Sequence, residues 1–201
     1  KKLPEHAHPV LRVLNTNTNK IIEEHVRVED GHAMVHGDEV IQGVPGTGSR
    51  IDMYFEDPAG SKTGKLFPTG QKKEVFDVPE YGPAEVTVLD CSNPMVFIKA
   101  SDLGIKGSEL TELNQNKDVM EHIERIRGMA AVKCGFVENW EDARTKSTSA
   151  PKVSIVSAPQ DYINMDGNEV KADTMDLCCR AISVGALHKA YPMTVAVGTG
   201  A

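Results

Sequence analysis

No apolar run in this chain approaches the roughly 20 residues needed to span a bilayer. No signal peptide opens it either, because Lys1-Lys2-Leu3-Pro4-Glu5 leads into no apolar core. Positive charge is in short supply: 22 Lys and Arg stand against 29 Asp and Glu, giving a formal charge of −7. That balance excludes the basic face of a nucleic-acid binder. It leaves room for an anionic small molecule, which a few local lysines can hold inside an acidic protein. Cysteine is sparse as well. Cys91, Cys134, Cys178 and Cys179 show no CxxC spacing and two are adjacent, which fits reduced core thiols in a cytoplasmic protein better than a disulfide framework.

What is present is ordinary globular material, 40% apolar and 25% charged over 201 residues, enough for one large domain or two small ones. The chain opens on Lys and stops in glycines directly after the apolar run Met193–Val197, so both ends read as cuts.

The first third reads as β. Val10–Asn15 and Lys20–Val28 form a hairpin about the turn cluster Asn17-Thr18-Asn19. Asp30-Gly31 turns the chain into a short strand at 33–36, and a further strand covers 51–55 beyond the loop GVPGTG at 43–48. The segment 57–70, DPAGSKTGKLFPTG, marks a crossing between two units. Beyond it, 85–89 and 95–99 pair around Asp90–Pro94. Asn116 caps a helix over 117–134 whose stripe is Val119, Ile123, Ile126 and Ala130, and Gly135 stops it. Lys152–Val156 is a buried strand. Asp173 caps a second helix over 174–187, and 194–197 is the last strand. The expected class is α+β, mainly antiparallel, with two units joined near residues 56 to 80.

Several motifs carry chemistry only on inspection. Gly60-Ser61-Lys62-Thr63-Gly64-Lys65 looks like a phosphate loop, but three residues rather than four separate its glycines and Leu66 follows the Lys, so the magnesium-binding hydroxyl is missing. The remaining readings are a linker with two turns, or a loop whose Lys62 and Lys65 draw in an anion. His6 and His8 lack a third ligand, so no metal is expected. Cys91 reads as a small core residue ahead of a nucleophile. Asn93-Pro94 is turn chemistry, or a strand end that projects an amide toward a carboxylate. His188-Lys189 is a cationic pair at a helix end, or an acid, base or anion clamp. Gly198-Thr199-Gly200-Ala201 is a strand-to-loop turn of the kind that brings backbone N–H groups to an anion.

Four stretches together, VLNTNTNK at 13–20, GVPGTGSRI at 43–51, DPAGSKTGKLFPTG at 57–70 and LHKAY at 187–191, resemble the PrpF-like isomerases. That family includes methylaconitate, methylitaconate and aconitate isomerases and oxalomesaconate tautomerases. The resemblance implies the diaminopimelate epimerase-like fold: two pseudo-symmetric domains, both incomplete here, with 1–75 the end of the first and its linker and 76–201 most of the second, each wrapping antiparallel strands around a central helix, with substrate between them. It implies a cofactor-independent isomerase that moves a proton and a C=C bond in a small unsaturated di- or tricarboxylic acid. It also implies that Asn93 and the amides of Gly198, Thr199 and Gly200 bind substrate carboxylates, with Lys62, Lys65, His188 and Lys189 adding positive charge. His188 and Lys189 remain the only catalytic candidates within the chain, because the family's Cys-Gly-Asn motif and its accompanying Lys would precede Lys1. Many relatives read Val-Cys-Thr-Gly where this chain has Val197-Gly198-Thr199-Gly200, so the second thiol is absent, which fits allylic isomerisation better than epimerisation. Two other readings stay open: a non-catalytic anion-binding module and an amino-acid epimerase or racemase. The expected partner is a small carboxylic acid, with neither nucleic acid nor membrane; a homodimer or higher homo-oligomer is compatible with the sequence.

Overall fold

The computed structural model describes residues 6–201, with side chains from His8 onward. The His6 side chain, half of the metal pair weighed above, lies outside the described residues. The chain divides into two units, the first ending at Pro58 and the second running Ala59–Ala201. The division falls at the start of the 57–70 crossing.

The first unit holds six strands and, among the described residues, no helix: β1 (His6–Ala7), β2 (Val10–Asn15), β3 (Lys20–His25), β4 (Val28–Glu29), β5 (His32–Ala33) and β6 (Asp52–Phe55). They form two three-stranded sheets, β1-β4-β5 and β2-β3-β6. The β2–β3 hairpin forms as expected, with Asn15 opposite Lys20. Its turn closes as the Asn19 amide donates to the Asn15 carbonyl at 2.7 Å, with Asn19 at φ 55°. The expected strand over 20–28 breaks at Val26-Arg27, and its two parts join different sheets.

The second unit holds a six-stranded sheet, a two-stranded sheet of Tyr162–Ile163 and Glu169–Val170, and helices. Its elements are β7 (Glu74–Val78), β8 (Gly82–Cys91), β9 (Asn93–Lys99), α1 (Lys117–Lys133), α2 (Ala143–Lys146), β10 (Lys152–Ser157), β11 (Tyr162–Ile163), β12 (Glu169–Val170), β13 (Cys178–Ser183), β14 (Ala186–Leu187) and α3 (Met193–Thr199). The strand order is β14-β13-β10-β9-β8-β7, antiparallel except where β10 lies parallel to β9 after the α1 crossover. The class is α+β, as the sequence predicts. Helix α1 also follows its signals: the Asn116 side chain accepts from the Val119 amide, and Gly135 ends the helix at φ 74°.

Both faces of this sheet are covered. Ala84, Val86, Val88, Val153, Ile155 and Ile182 pack with Ile123, Ile126 and Ala130 of α1. Leu89, Cys91, Met95 and Ala181 face the other way, against Val195 of α3 and the loop residues Leu66 and Phe67. Strand parity dictates this division, since successive side chains alternate between faces.

Two expectations are corrected. The helix expected over 174–187 is the hairpin β13–β14, turning at Val184-Gly185. Because apolar residues cover both faces of β13, its buried positions lose the two-residue alternation and imitate helical spacing. The cap expected at Asp173 is instead part of a three-residue 3₁₀ turn, Ala172–Thr174. The last strand, expected over 194–197, is the helix α3. Its buried residues Val195 and Gly198 lie three apart and pack on one side. This packing overrides the strand preference of a valine-rich run.

Candidate anion-binding site

The 57–70 segment is organised by one carboxylate. Asp90, the penultimate residue of β8, is fully buried. Its Oδ2 accepts from the Lys62 amide at 2.8 Å, the Thr63 amide at 2.7 Å and Thr63 Oγ1 at 2.9 Å, while Oδ1 accepts from Ser61 Oγ. The backbone closes the same knot: the Gly60 amide donates to the Asp90 carbonyl and the Asp90 amide donates to the Leu66 carbonyl, both at 2.8 Å. Gly60 must be glycine, because its φ is 64° and a Cβ would lie 2.6 Å from the Gly64 carbonyl carbon.

This geometry explains why the segment resembles a phosphate loop and cannot act as one. The amides of Lys62 and Thr63, which would cradle an outside phosphate, are spent on an internal carboxylate. What the knot presents outward is charge: Lys62 and Lys65 are exposed, and neither is ion-paired among the described residues.

The knot sits at one end of the sheet. Cys91 pairs with Asn93 around Ser92, which turns at φ 59°. Ser92 Oγ donates to the Thr194 carbonyl at 2.8 Å, fastening α3 to the hairpin tip. Gly198 then packs on Met95, where an added Cβ would fall 2.5 Å from the Met95 Cε. Thus Asn93, Gly198 and Thr199 are gathered at the sheet end that also carries the Lys62 loop. Asn93 is half-buried, and one of its amide hydrogens goes to the Pro94 carbonyl at 3.0 Å, leaving one to donate.

The helical course of α3 changes the expected role of the glycine stretch. Gly198 and Thr199 form its last turn, and the Gly200 amide donates to the Ala196 carbonyl at 3.0 Å. Within the described residues these amides close a helix and do not open one. Thr199 acts through its side chain instead, donating to the Val195 carbonyl and meeting Tyr191 Oη, both at 2.8 Å. His188 and Lys189 are exposed on the stretch after β14. There the His188 amide donates to the Ala181 carbonyl at 2.8 Å and its ring Nδ1 meets the Ala190 carbonyl. That fixes the path of the chain, with no carboxylate orienting the imidazole for acid–base work.

Sequence reasoning missed four residues here. Asp90 is one; its signal was a carboxylate inside the apolar strand VTVLDC. Tyr191, Ser154 and Lys152 are the others. Tyr191 Oη lies 2.6 Å from Ser154 Oγ and 2.8 Å from Thr199 Oγ1. Because the Thr199 hydroxyl hydrogen goes to a carbonyl, Thr199 can only accept from Tyr191, which must in turn accept from Ser154. Protons therefore run Ser154 to Tyr191 to Thr199, and the phenol ties α3 to β10 with no hydrogen left for a ligand. Burial pushes the Tyr191 phenol above its ordinary value, against the opposing pull of Ser154 and Thr199.

Lys152 opens β10, half-buried, and its Nζ donates to Ser183 Oγ at 2.8 Å. Burial pushes its ammonium below the ordinary lysine value, and the positive charge of Lys62 adds to the push. Three of the thiols are poor nucleophiles. Burial raises Cys91 and Cys179, and Cys134 is pushed up to about 12. Among the described residues no group of three or more His, Cys, Asp or Glu side chains is placed to hold a metal, and no helix is long and apolar enough to cross a membrane. The arrangement can receive an anion: lysine ammoniums, an amide and hydroxyls converge on a sheet end whose one buried carboxylate is already saturated.

Known proteins share this architecture. The profile of the PrpF protein family matches residues 3–201. The chain is 38% identical over 198 residues to the 3-methylitaconate isomerase of Eubacterium barkeri, covering 96% of this chain and 52% of that enzyme. It is 32% identical over 203 residues to the 2-methyl-aconitate isomerase of Shewanella oneidensis, covering 99% and 51%. A crystal structure of methylitaconate-delta-isomerase superposes with a TM-score of 0.85 at 36% identity, over 100% of this chain and 52% of that one. The chain thus spans about half the length of the relatives it matches. With the family's diaminopimelate epimerase-like fold and its sequence profile both present along the described chain, the protein is a member of the PrpF family.

Proposed function

We propose that the chain supplies the carboxylate-holding part of an isomerase that moves a proton and a C=C bond in a small unsaturated di- or tricarboxylic acid. The observation that carries this reading is the Asp90 knot, which spends its own amides and hydroxyls internally and so presents Lys62 and Lys65 outward without carboxylate partners. Lys62, Lys65 and the free amide hydrogen of Asn93 anchor the carboxylates. Removing a proton α or γ to one of them builds negative charge on that same carboxylate. Donors already fixed there stabilise the charge more in the transition state than in the ground state.

The candidate bases read from the sequence are His188 and Lys189, and the His188 ring Nδ1 meets the Ala190 carbonyl. The chain by itself is therefore expected to be inactive. Neither cofactor nor metal is required by this scheme, and a cytoplasmic setting is consistent with it.

The test is proton NMR of the full-length protein in deuterated water with a panel of aconitate-, methylaconitate- and methylitaconate-type acids. Deuterium entry with double-bond migration supports the reading. Tight binding without exchange would make the site a carrier module. Deuterium entry at the α-carbon of an amino acid would make the protein an epimerase.

A further inference from the structure

We infer that Lys152, working with Lys62, seats a second carboxylate of the substrate and so makes the site select di- and tricarboxylic acids over monocarboxylic ones. The reaction it serves rests on the isomerase reading above; the assignment of the residue rests on the sheet.

The register places Lys152 beside Met95 on β9, and Met95 beside Leu89 on β8. On the other side, Val153 pairs with Ile182, which brings Ser183 next to Lys152. Leu89, Met95, Lys152 and Ser183 therefore form one rung, and strand parity turns all four toward α3 and away from α1. One rung further, Asp90 pairs with Pro94, and Asp90 is where Lys62 is held. Lys152 thus stands on the same sheet end as the knot, one strand from the methionine on which Gly198 packs.

Its charge is unbalanced there. Lys20, Lys73, Lys99, Lys133, Lys146 and Lys171 each meet a carboxylate within 4 Å. Lys152, half-buried, meets only a hydroxyl. The charged group that acts on it is another cation, Lys62, while Asp90 lies two strands away, is turned by the same parity to the other face, and already accepts four hydrogen bonds. Keeping an ammonium half-buried without an anion is costly, and a folding core alone gives no reason to bear that cost.

The hydrogen-bond inventory is also suited to an incoming oxygen. Ser183 accepts from Lys152, so its own hydroxyl hydrogen is free among the described residues, and the ammonium keeps two N–H groups. Two ammonium N–H groups and a hydroxyl at one point, with the charge of Lys62 acting on the same ammonium, match a carboxylate. The anchors at Asn93 and Lys65 remain for another carboxylate, so an acid bearing two or more is the ligand that satisfies both.

The test uses the full-length protein and its Lys152→Met and Lys152→Arg variants, with propane-1,2,3-tricarboxylate and butyrate as probes in titration calorimetry. Lys152→Met should weaken the tricarboxylate by about 10- to 100-fold, the loss expected for one charge-assisted contact. Butyrate binding should stay unchanged, and Lys152→Arg should retain most of the tricarboxylate affinity. The melting temperature of Lys152→Met should hold or rise, because an unpaired buried charge has been removed. A wild-type protein that ignores the tricarboxylate, a Lys152→Met variant that binds it normally, or one that loses binding together with thermal stability would each overturn the assignment. Isomerase activity with an unchanged KM in Lys152→Met would overturn it while leaving the function standing. Lys152-dependent binding without isomerisation would do the reverse.

Discussion

Replacing Asp90 should separate the shape of the knot from its charge. In Asp90→Ala the four donors on the carboxylate lose their acceptor together. The Lys62 amide lies on an exposed residue and can be rehydrated, but Ser61 is buried at 8% exposure and cannot. Hydrogen bonds to a charged group contribute about 1.5–3 kcal/mol each and do not add simply, so the expected loss is about 3–5 kcal/mol. Asp90→Asn behaves differently. Its amide oxygen can keep the three donors on Oδ2, while its NH₂ donates to Ser61 Oγ, which rotates to accept. The loss should then be about 1–2 kcal/mol, the difference between charged and neutral acceptors. Urea unfolding followed by the fluorescence of Trp140, the chain's single tryptophan, reports on the second unit. Hydrogen exchange at the Lys62 and Thr63 amides reports on the knot itself. Equal destabilisation by Ala and Asn, or unprotected Lys62 and Thr63 amides in the wild type, would refute the hydrogen-bond account.

Three further outcomes follow from local geometry. Val184 holds φ 52° in an exposed two-residue turn before Gly185 at φ 73°, so Val184→Asn should raise stability by about 1 kcal/mol in denaturant titration. Tyr191→Phe removes the acceptor of the buried Ser154 hydroxyl and should cost about 1–3 kcal/mol, whereas Tyr191→Phe/Ser154→Ala should recover part of that loss. His122 stacks on Tyr81 at 4.2 Å, and its buried Nε2 has no partner. Burial pushes its imidazole below the ordinary 6.5, against the opposing pull of Asp118. The unfolded chain then binds a proton that the folded one resists, so stability is fully present above about pH 6.5 and falls on acidification below it. Urea midpoints at pH 7.5 and 5.5 should show that fall in wild type and a smaller one in His122→Phe.

How much of this was legible in the sequence depended on whether a signal was local. Helix α1 could be read because its cap, its stripe and its terminating glycine all lie within 20 consecutive residues, 116–135. The β2–β3 and β8–β9 hairpins could be read for the same reason. Strand β13 could not, because most of its pairing is with β10, across the β11–β12 excursion, and both its faces are covered. Helix α3 is seven residues long and is held by Ser92, Met95 and Tyr191, contacts that no window over 193–199 contains. The site divides along the same line. Lys62 and Lys65 were visible in an unusual string, while Asp90 and Lys152 acquire meaning only when the register sets residues some 60 positions apart on neighbouring rungs.

The most direct test of the account follows deuterium by proton NMR in the full-length protein, with wild type and Lys62→Met compared on the same unsaturated tricarboxylic acid. The account predicts that wild type incorporates solvent deuterium as the double bond moves, and that Lys62→Met does so with kcat/KM lower by about 10-fold or more, one lost charge-assisted contact. Exchange at an undiminished rate in Lys62→Met, or none in wild type with any acid of the panel, would contradict it.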